Sequence, residues 1–209
     1  MKNILAITFI IMLSSSCNSA GNTIGGILKK SYTEKLQLGC FSVSAGAGLS
    51  LPSGDIANVL NGGTDLRIAL SYNNILFDDL SLVLTGGYCV YTGQIDNTNL
   101  FATIKAGLLG RYYLYFDEIP GSIFVEVGGG VALETLTVAS TSLNNIDPIF
   151  IFGAGYEVGI VQELSLVVNT NYLFMPQKYI AGAFRDGSYI NIGVGIKYEL
   201  GMERRGKRK

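Results

Sequence analysis

The sequence alternates between apolar and small or polar residues in eight separate stretches. In the last one, Tyr189–Leu200, every even-numbered position is apolar or aromatic, whereas the odd-numbered positions carry Tyr, Asn, Gly, Lys and Glu. Alternation with a period of two places the two kinds of residue on opposite faces of a β-strand. The other seven stretches are Leu38–Leu51, Asp65–Tyr72, Leu80–Tyr91, Thr103–Tyr115, Ile123–Glu134, Ile149–Val161 and Leu164–Phe174. The sequence therefore predicts an all-β chain with eight strands.

The connections between the predicted strands alternate in length. The long ones follow the first, third, fifth and seventh strands, at 52–63, 93–102, 135–148 and 176–187. The shorter ones follow the second, fourth and sixth strands, at 73–79, 116–122 and 162–163. Long and short connections at opposite ends are typical of an antiparallel up-and-down β-barrel. We therefore expect one barrel domain over residues 37–200.

Membrane barrels and soluble barrels both show this alternation, so alternation cannot distinguish them. The volume of the side chains on the two faces can. The apolar faces supply about forty large side chains, more than the interior of an eight-stranded barrel can hold. The opposite faces carry mainly Gly, Ser, Asn and a few charged residues, which would fit inside. Mean hydropathy is +0.36, and only 15% of the residues are charged. The sequence nevertheless contains no uncharged apolar run of about 18 residues, so it predicts no helical membrane span. The apolar faces carry no charge, so we expect them to contact lipid.

Aromatic residues fall near both ends of the predicted apolar face. The two groups are Tyr72, Tyr112 and Tyr198 near one end, and Tyr88, Tyr172 and Phe174 near the other. Transmembrane β-barrels carry aromatic girdles at both membrane interfaces. We therefore interpret the two groups as the girdles of a transmembrane barrel.

Both ends of the chain differ from the barrel in composition. Residues 1–20 combine a Lys, an apolar run and small residues, as a secretory signal peptide does. Lipoprotein processing is the alternative, with Cys17 as the lipid-bearing first residue of the mature protein. Residues 21–36 would form a periplasmic segment. The basic tail at 201–209 would be solvated or would contact acidic residues of the short turns.

The pattern of Leu38–Leu200 resembles the small bacterial outer-membrane barrels of the OmpA and OmpX type. The last strand, with Asn191, Gly193 and Tyr198, resembles the assembly signal of such proteins. The resemblance implies a monomer that is assembled by the barrel-assembly machinery and contacts outer-membrane lipid. Any host or surface ligand would bind through the long loops. An exported chain of this kind would have no nucleic-acid partner.

Charged residues on the predicted inner face can pair within the lumen. If the turn between the fourth and fifth strands centres near Glu118, Arg111 lies directly opposite Glu126. Glu157 on the next strand and Lys197 across the lumen would join this pair. We expect an ion-pair network that plugs the barrel, formed by Arg111, Glu126, Glu157, Lys197, Lys105 and Glu134. A path for protons or ions is the alternative.

The residue types present argue against catalysis. The sequence contains no His, which excludes Ser–His and Asp–His arrangements and His-containing metal sites. No phosphate-binding glycine motif occurs, and the glycines follow strand parity instead. We therefore expect no enzymatic activity, no cofactor and no metal. Cys40 and Cys89 are predicted to lie inward at opposite ends of the barrel, too far apart for a disulfide.

These features together predict an outer-membrane barrel with a structural or surface-interaction role, like that of an adhesin. Two alternatives stay open at this point. One is a narrow channel for ions or small solutes. The other is a soluble lipocalin-like binding protein.

Overall fold

Eight β-strands close into one barrel in the computed structural model of the chain. The structure describes residues 41–73, 75, 79–93, 100–116, 119–138, 141–161, 163–175 and 187–200. The strands are β1 (Phe41–Ser53), β2 (Gly63–Asn73), β3 (Leu80–Thr92), β4 (Leu100–Tyr115), β5 (Ser122–Val138), β6 (Thr141–Val161), β7 (Leu164–Met175) and β8 (Gly187–Leu200). Each strand pairs antiparallel with the next, and β8 pairs antiparallel with β1. The predicted all-β class and up-and-down strand order are therefore confirmed.

The register of the strands sets the width of the barrel. Following paired residues once around the barrel leads from Phe41 through Tyr72, Leu82, Gly110, Val127, Phe152, Tyr172 and Ile190 to Leu51. The path returns to β1 at a point 51 − 41 = 10 residues further along. With eight strands, this stagger corresponds to a strand tilt of about 40° and a Cα radius of about 8 Å. Such an interior holds side chains and leaves no wide pore.

The exterior of the barrel is apolar, and the charged residues of the strands lie inside. Ile68, Val127 and Ile196 point outward and expose 66%, 55% and 53% of their surface. Glu126 and Glu157 point inward and are buried. An exterior of this kind suits hydrocarbon, and charges are excluded from it for the same reason. The prediction that the apolar faces point outward is therefore confirmed.

The outward aromatic residues lie at two heights on the barrel. Near the start of β1 and β3 are Tyr72, Tyr112 and Tyr198, which are 39%, 41% and 49% exposed. Toward the opposite end are Tyr88, Tyr172 and Phe174, of which Phe174 is partly buried. Phe41 adds a ring contact with Tyr72, with centroids 4.8 Å apart. We propose that the two groups mark the two membrane interfaces.

The connection predicted at 135–148 is wrong, because β5 and β6 extend through it as a hairpin. Thr135 of β5 pairs with Asn144 of β6. The predicted strands end at Glu134 and begin again at Ile149, and the Asn, Asp and Pro residues between them are typical of turns. Pro148 pairs with Val131 of β5, and in the described part of the chain β7 pairs with β6 only from Phe150 onward. Position 148 therefore lies at an edge of the sheet on its β7 side, where proline is tolerated.

Predictions about both ends of the chain lie outside the described residues. They concern the signal peptide, Cys17, the segment 21–36, Cys40 and the basic tail at 201–209. Parts of the long connections, at 94–99 and 176–186, are outside as well. In the part of the chain that is described, no helix is both long and apolar enough to cross a membrane.

Candidate functional site

The lumen contains the charged residues and is the candidate site. We call the half nearer Phe41 and Leu200 the lower half and the opposite one the upper half. The lower half is centred on Glu126, whose side chain is fully buried. Arg111 reaches its Oε2 through Nη2 at 2.7 Å and Nε at 3.0 Å, and Arg67 reaches Oε1 through Nη2 at 2.8 Å. Two guanidinium groups therefore share one carboxylate, in the charge-assisted geometry that Arg favours.

A second ion pair in the lower half joins β8 to β6. Lys197 Nζ lies 2.9 Å and 3.0 Å from the two carboxylate oxygens of Glu157. Tyr113 OH donates to Glu157 Oε2 at 3.2 Å. Glu199 is a weaker partner of Lys197, at 3.7 Å. The two pairs are linked through Tyr113, because Arg111 Nη1 donates to its hydroxyl at 3.4 Å.

Lys105 lies apart from these pairs, in a group that we call the Asp65 cluster (Asp65, Lys105 and Cys89). Lys105 Nζ is 2.7 Å from Asp65 Oδ1 and 3.0 Å from Cys89 Sγ, and the thiol donates to the same carboxylate at 2.8 Å. Glu134 is fully buried nearer the upper rim, in register with Thr103. The sequence had grouped Lys105 and Glu134 with Arg111 and Glu126, whereas the structure separates them by height.

The upper half of the lumen is mainly apolar, which corrects the expectation of a polar lumen throughout. A buried cluster fills it, and its members include Ile56, Leu60, Tyr91, Phe101, Ile149, Ile151, Leu173, Met175 and Tyr189. The ring centroids of Tyr91 and Tyr189 are 5.2 Å apart. Most of these residues occupy inward positions of their strands. Extending the strand parity along the whole chain would have found them.

A short 3-10 helix at Gly54–Asn58 closes the upper end. It follows β1 directly, and Ile56 from this helix is only 2% exposed because it packs into the apolar cluster. Leu60 packs there as well and forms an isolated bridge with Gly93 of the next connection. This helix and Leu60 fall within the connection predicted at 52–63. The apolar residues Ile56 and Leu60 within a polar connection were the available signal.

The seam between β1 and β8 is lined by glycines. Gly46 pairs with Gly195, and Gly48 pairs with Gly193. A Cβ atom on Gly48 would collide with the backbone of Ile192, so glycine is required at that position. A cavity of about 40 Å³ lies on the luminal side of this seam. A second cavity, of about 20 Å³, lies above it.

No protein-family model matches the sequence, and no curated protein does. Solved structures match it. Neisserial surface protein A superimposes with a TM-score of 0.61 at 14% sequence identity, over 76% of this chain and 96% of that protein. The chain has the fold of a small outer-membrane barrel. The N-terminal barrel domain of Pseudomonas aeruginosa OprF and the Yersinia pestis attachment invasion locus protein Ail each match with a TM-score of 0.49 at 15% identity. They cover 76% and 78% of this chain, and 97% and 99% of those chains.

These identities establish similarity of fold. The predicted resemblance to small eight-stranded outer-membrane barrels is confirmed at this level. The fold and the apolar exterior together are those of an outer-membrane barrel, as the predicted localisation requires.

Two carboxylates of the lumen are fully engaged in ion pairs. Glu126 and Glu157 are each held by cationic donors within 3.0 Å. Among the described residues, no group of three or more His, Cys, Asp or Glu side chains is arranged to hold a metal ion. The arrangement is suited to filling and bracing the barrel.

Proposed function

We propose that this chain is a non-conducting outer-membrane barrel that holds recognition elements at the bacterial surface. One observation carries the proposal: both halves of the lumen are filled. Ion pairs occupy the lower half, and an apolar cluster with its helical cap occupies the upper half. The cavities next to them have volumes of about 40 and 20 Å³, enough for a few water molecules and no continuous pore.

The surface-interaction part of the proposal is supported by the hairpin of β5 and β6. Ile146 on this hairpin lies four residues beyond Phe150, where pairing with β7 begins, and is 69% exposed. That distance corresponds to about 10 Å along the barrel axis. Elements held on a rigid scaffold commonly carry recognition. Neisserial surface protein A shares the fold and is named as a surface protein.

Surface exposure of the hairpin is tested by labelling intact cells with a membrane-impermeant thiol reagent. Ser142→Cys, in a chain whose three native cysteines are replaced by Ser, places the thiol on the hairpin. Glu163→Cys, in the turn between β6 and β7, is the matched control at the opposite end. We expect labelling of the first variant only. Labelling of Glu163→Cys alone would reverse the proposed orientation.

Membrane embedding is tested by moving one charge along the exterior. Ile68 and Ile146 are similarly exposed, at 66% and 69%, but Ile68 lies in the middle of β2. Arg on a lipid-facing position costs about 2–4 kcal/mol at the midplane and about 0–1 kcal/mol near the interfaces. We therefore expect Ile68→Arg to impair folding into vesicles and Ile146→Arg to have little effect. Equal effects would contradict the proposed membrane band.

A narrow ion path is the second candidate, and the two cavities favour it because both are lined by Asp65 and Arg67. Planar-bilayer recording of the purified full-length protein separates the two functions. We expect no discrete conductance steps from the barrel, in bilayers that a co-reconstituted porin shows to be competent. Reproducible conductance steps whose size changes in Arg67→Gln would show that the protein is a channel and would contradict the proposed scaffold function.

The adhesive role is tested by the attachment of a non-adherent bacterial host to epithelial cells. The wild-type barrel is compared with a variant in which Ser142, Asn144 and Ile146 are all Gly. We expect the variant to reach the surface in equal amount and to attach less. Equal attachment would restrict the proposal to a structural barrel.

We also propose that the chain is monomeric and is assembled by the barrel-assembly machinery.

A further inference from the structure

A buried thiol of the barrel lies beside an amine. Cys89 is 0% exposed and forms no disulfide within the part of the chain that the structure describes. Its Sγ lies 3.0 Å from Nζ of Lys105, the amine of the Asp65 cluster. The compartments on both sides of the outer membrane are oxidising, and thiols of proteins there are commonly found oxidised. Because no second described thiol lies beside Cys89, the Lys105 nitrogen is its available partner for oxidation.

Strand pairing and one shared carboxylate hold the two groups together. Cys89 on β3 pairs with Thr103 of β4, and Lys105 lies two residues further along β4, on the same inward face. Asp65 Oδ1 accepts a hydrogen bond from the thiol at 2.8 Å and another from the ammonium at 2.7 Å. The nitrogen, the sulfur and this oxygen therefore form a triangle with three short sides. The two atoms that would react are already in contact in the folded barrel.

A cavity next to the Asp65 cluster has room for a small oxidant. Its volume is about 20 Å³, and Asp65 and Lys105 line it. One water molecule needs roughly 10–15 Å³, so this cavity holds a single molecule of about that size. Dioxygen is a small apolar molecule, and Cys89 itself belongs to the apolar cluster that fills the upper half of the lumen. The Asp65 cluster thus lies between a small cavity and an apolar region, and both admit dioxygen.

The same cavity contains a hydrogen-bond acceptor that needs a donor. Asn171, on the wall of the cavity, is only 5% exposed, and its Oδ1 has no hydrogen-bond partner among the described residues. A buried polar atom without a partner indicates a small molecule bound beside it, commonly water. The cavity is therefore suited to hold the water molecule that forms when a thiol and an amine are oxidised together by dioxygen.

We propose that Lys105 and Cys89 become joined through one oxygen atom taken from dioxygen, which gives a covalent N–O–S bridge between β4 and β3. Lys105 first gives its extra proton to Asp65, which leaves a neutral amine. The S–H bond and one N–H bond then break, S–O and N–O bonds form, and the second oxygen atom leaves with the two hydrogens as water. Sulfur and nitrogen each lose two electrons, and dioxygen accepts all four.

The geometry favours this product over the two other oxidation products of a thiol beside a nitrogen. A sulfenamide has a direct S–N bond, so the two atoms, now 3.0 Å apart, would have to approach to the length of one covalent bond. An inserted oxygen atom spans most of that separation. Oxidation of the sulfur alone to a sulfonic acid adds three oxygen atoms at a position that is 0% exposed. The bridge is independent of whether the hairpin binds a partner.

Trypsin digestion of the purified full-length barrel tests the bridge by mass spectrometry. Trypsin cleaves after Arg67, Lys105 and Arg111, and no other Lys or Arg lies between them. The unmodified chain therefore gives the peptides 68–105 and 106–111. In the bridged chain the Lys105 nitrogen is no longer a cationic amine, so trypsin does not cleave there. The product is a single peptide, 68–111, whose mass exceeds that of the same unmodified peptide by one oxygen atom less two hydrogen atoms.

We expect this peptide from barrel exposed to air after folding, and not from barrel folded and kept without dioxygen. Reduction with dithiothreitol should restore cleavage at Lys105. Cys89→Ser removes the sulfur, and Lys105→Arg keeps a cation for Asp65 but removes the amine. We expect both variants to fold, as measured by the heat-dependent change in gel mobility, and to give no modified peptide in air.

Four results would overturn the proposal. The first is complete cleavage at Lys105 in the folded wild-type barrel after prolonged exposure to air. The second is a 68–111 peptide that has lost two hydrogens without gaining oxygen, which would show a direct S–N bond. The third is a modified peptide that persists in either variant. The fourth is an equal rate of bridge formation in chain unfolded by urea, because the folded geometry would then have no part in the reaction.

Discussion

The two halves of the lumen fill the same narrow cylinder by different means. In the lower half, two ion pairs connect strands that are not neighbours: Arg67 on β2 reaches Glu126 on β5, and Lys197 on β8 reaches Glu157 on β6. In the upper half, apolar side chains from the strands pack against Ile56 of the helical cap. Ion pairs brace the wall from within, whereas the apolar cluster closes the end.

The difference determines how each half should respond to substitution. Removing one member of a buried ion pair leaves the other charge uncompensated. Removing carbon atoms from a packed cluster loses transfer free energy and leaves a cavity, whose cost depends on how far the neighbours relax. The lower half should therefore be sensitive to changes of charge at constant volume. The upper half should be sensitive to changes of volume at constant polarity.

The largest effect is expected for Glu126→Gln, which removes the carboxylate that Arg67 and Arg111 share. Gln has nearly the same volume, so the change isolates the charge. Breaking a buried pair of this kind costs about 3–5 kcal/mol. The free energy of unfolding is measured by urea titration in lipid vesicles with gel mobility as the readout, since the chain has no Trp. A loss below about 1 kcal/mol would show that the lower half is well hydrated.

The upper half gives the next effect through Ile149→Ala. Ile149 is 1% exposed within the apolar cluster. A buried Ile→Ala change typically costs about 2–5 kcal/mol. Ile192→Ala is the matched control, because Ile192 is 50% exposed on the lipid-facing side of β8. We expect a clearly smaller loss there in the same urea titration. Equal losses would mean that the upper cluster packs no better than the lipid interface does.

The sequence alone predicted which strand residues face the lumen and which face outward, because the alternation along a strand is a local property. Arg111 and Glu126 were predicted to lie opposite each other from the position of one turn, and the register pairs them. The second contact of Glu126, with Arg67, was not predicted. That contact spans the lumen from β2 to β5, and its closeness depends on the strand tilt and stagger, which no single stretch encodes.

The upper half was predicted least well for the same reason. Ile56 and Leu60 belong to a connection, and their burial depends on where that connection folds relative to eight strand ends. The hairpin at 135–148 was missed because Asn, Asp and Pro indicate turns only on average. There, pairing between β5 and β6 outweighs the local preference of these residues.

An intermediate effect is expected at the boundary between the halves, for Ser50→Ala. Ser50 Oγ lies 2.6 Å from Tyr91 OH of the upper cluster and donates to Asn191 Oδ1. Ala keeps the space nearly filled but leaves both polar partners short of one hydrogen bond, at a cost of about 1–3 kcal/mol. We expect a loss within that range in the urea titration, below that of Ile149→Ala. Ser44→Ala, on the same face of β1, is the control. A loss as large as that of Ile149→Ala would place Ser50 within the sealed upper cluster instead of at its boundary.

The smallest effect is expected for Glu199→Gln at the lower rim. Lys197 lies between two carboxylates, with Glu157 at 2.9 Å and Glu199 at 3.7 Å. Removing the charge of the distant one leaves the close pair intact and relieves repulsion between the carboxylates, so we expect a change within about 0.5 kcal/mol. Glu157→Gln is the matched comparison and should cost several times more, because it removes the charge that lies closest to the buried Lys197 ammonium. If the two variants lose equal stability, Lys197 depends on both carboxylates. The ion pairs of the lower half would then extend to the rim as one unit.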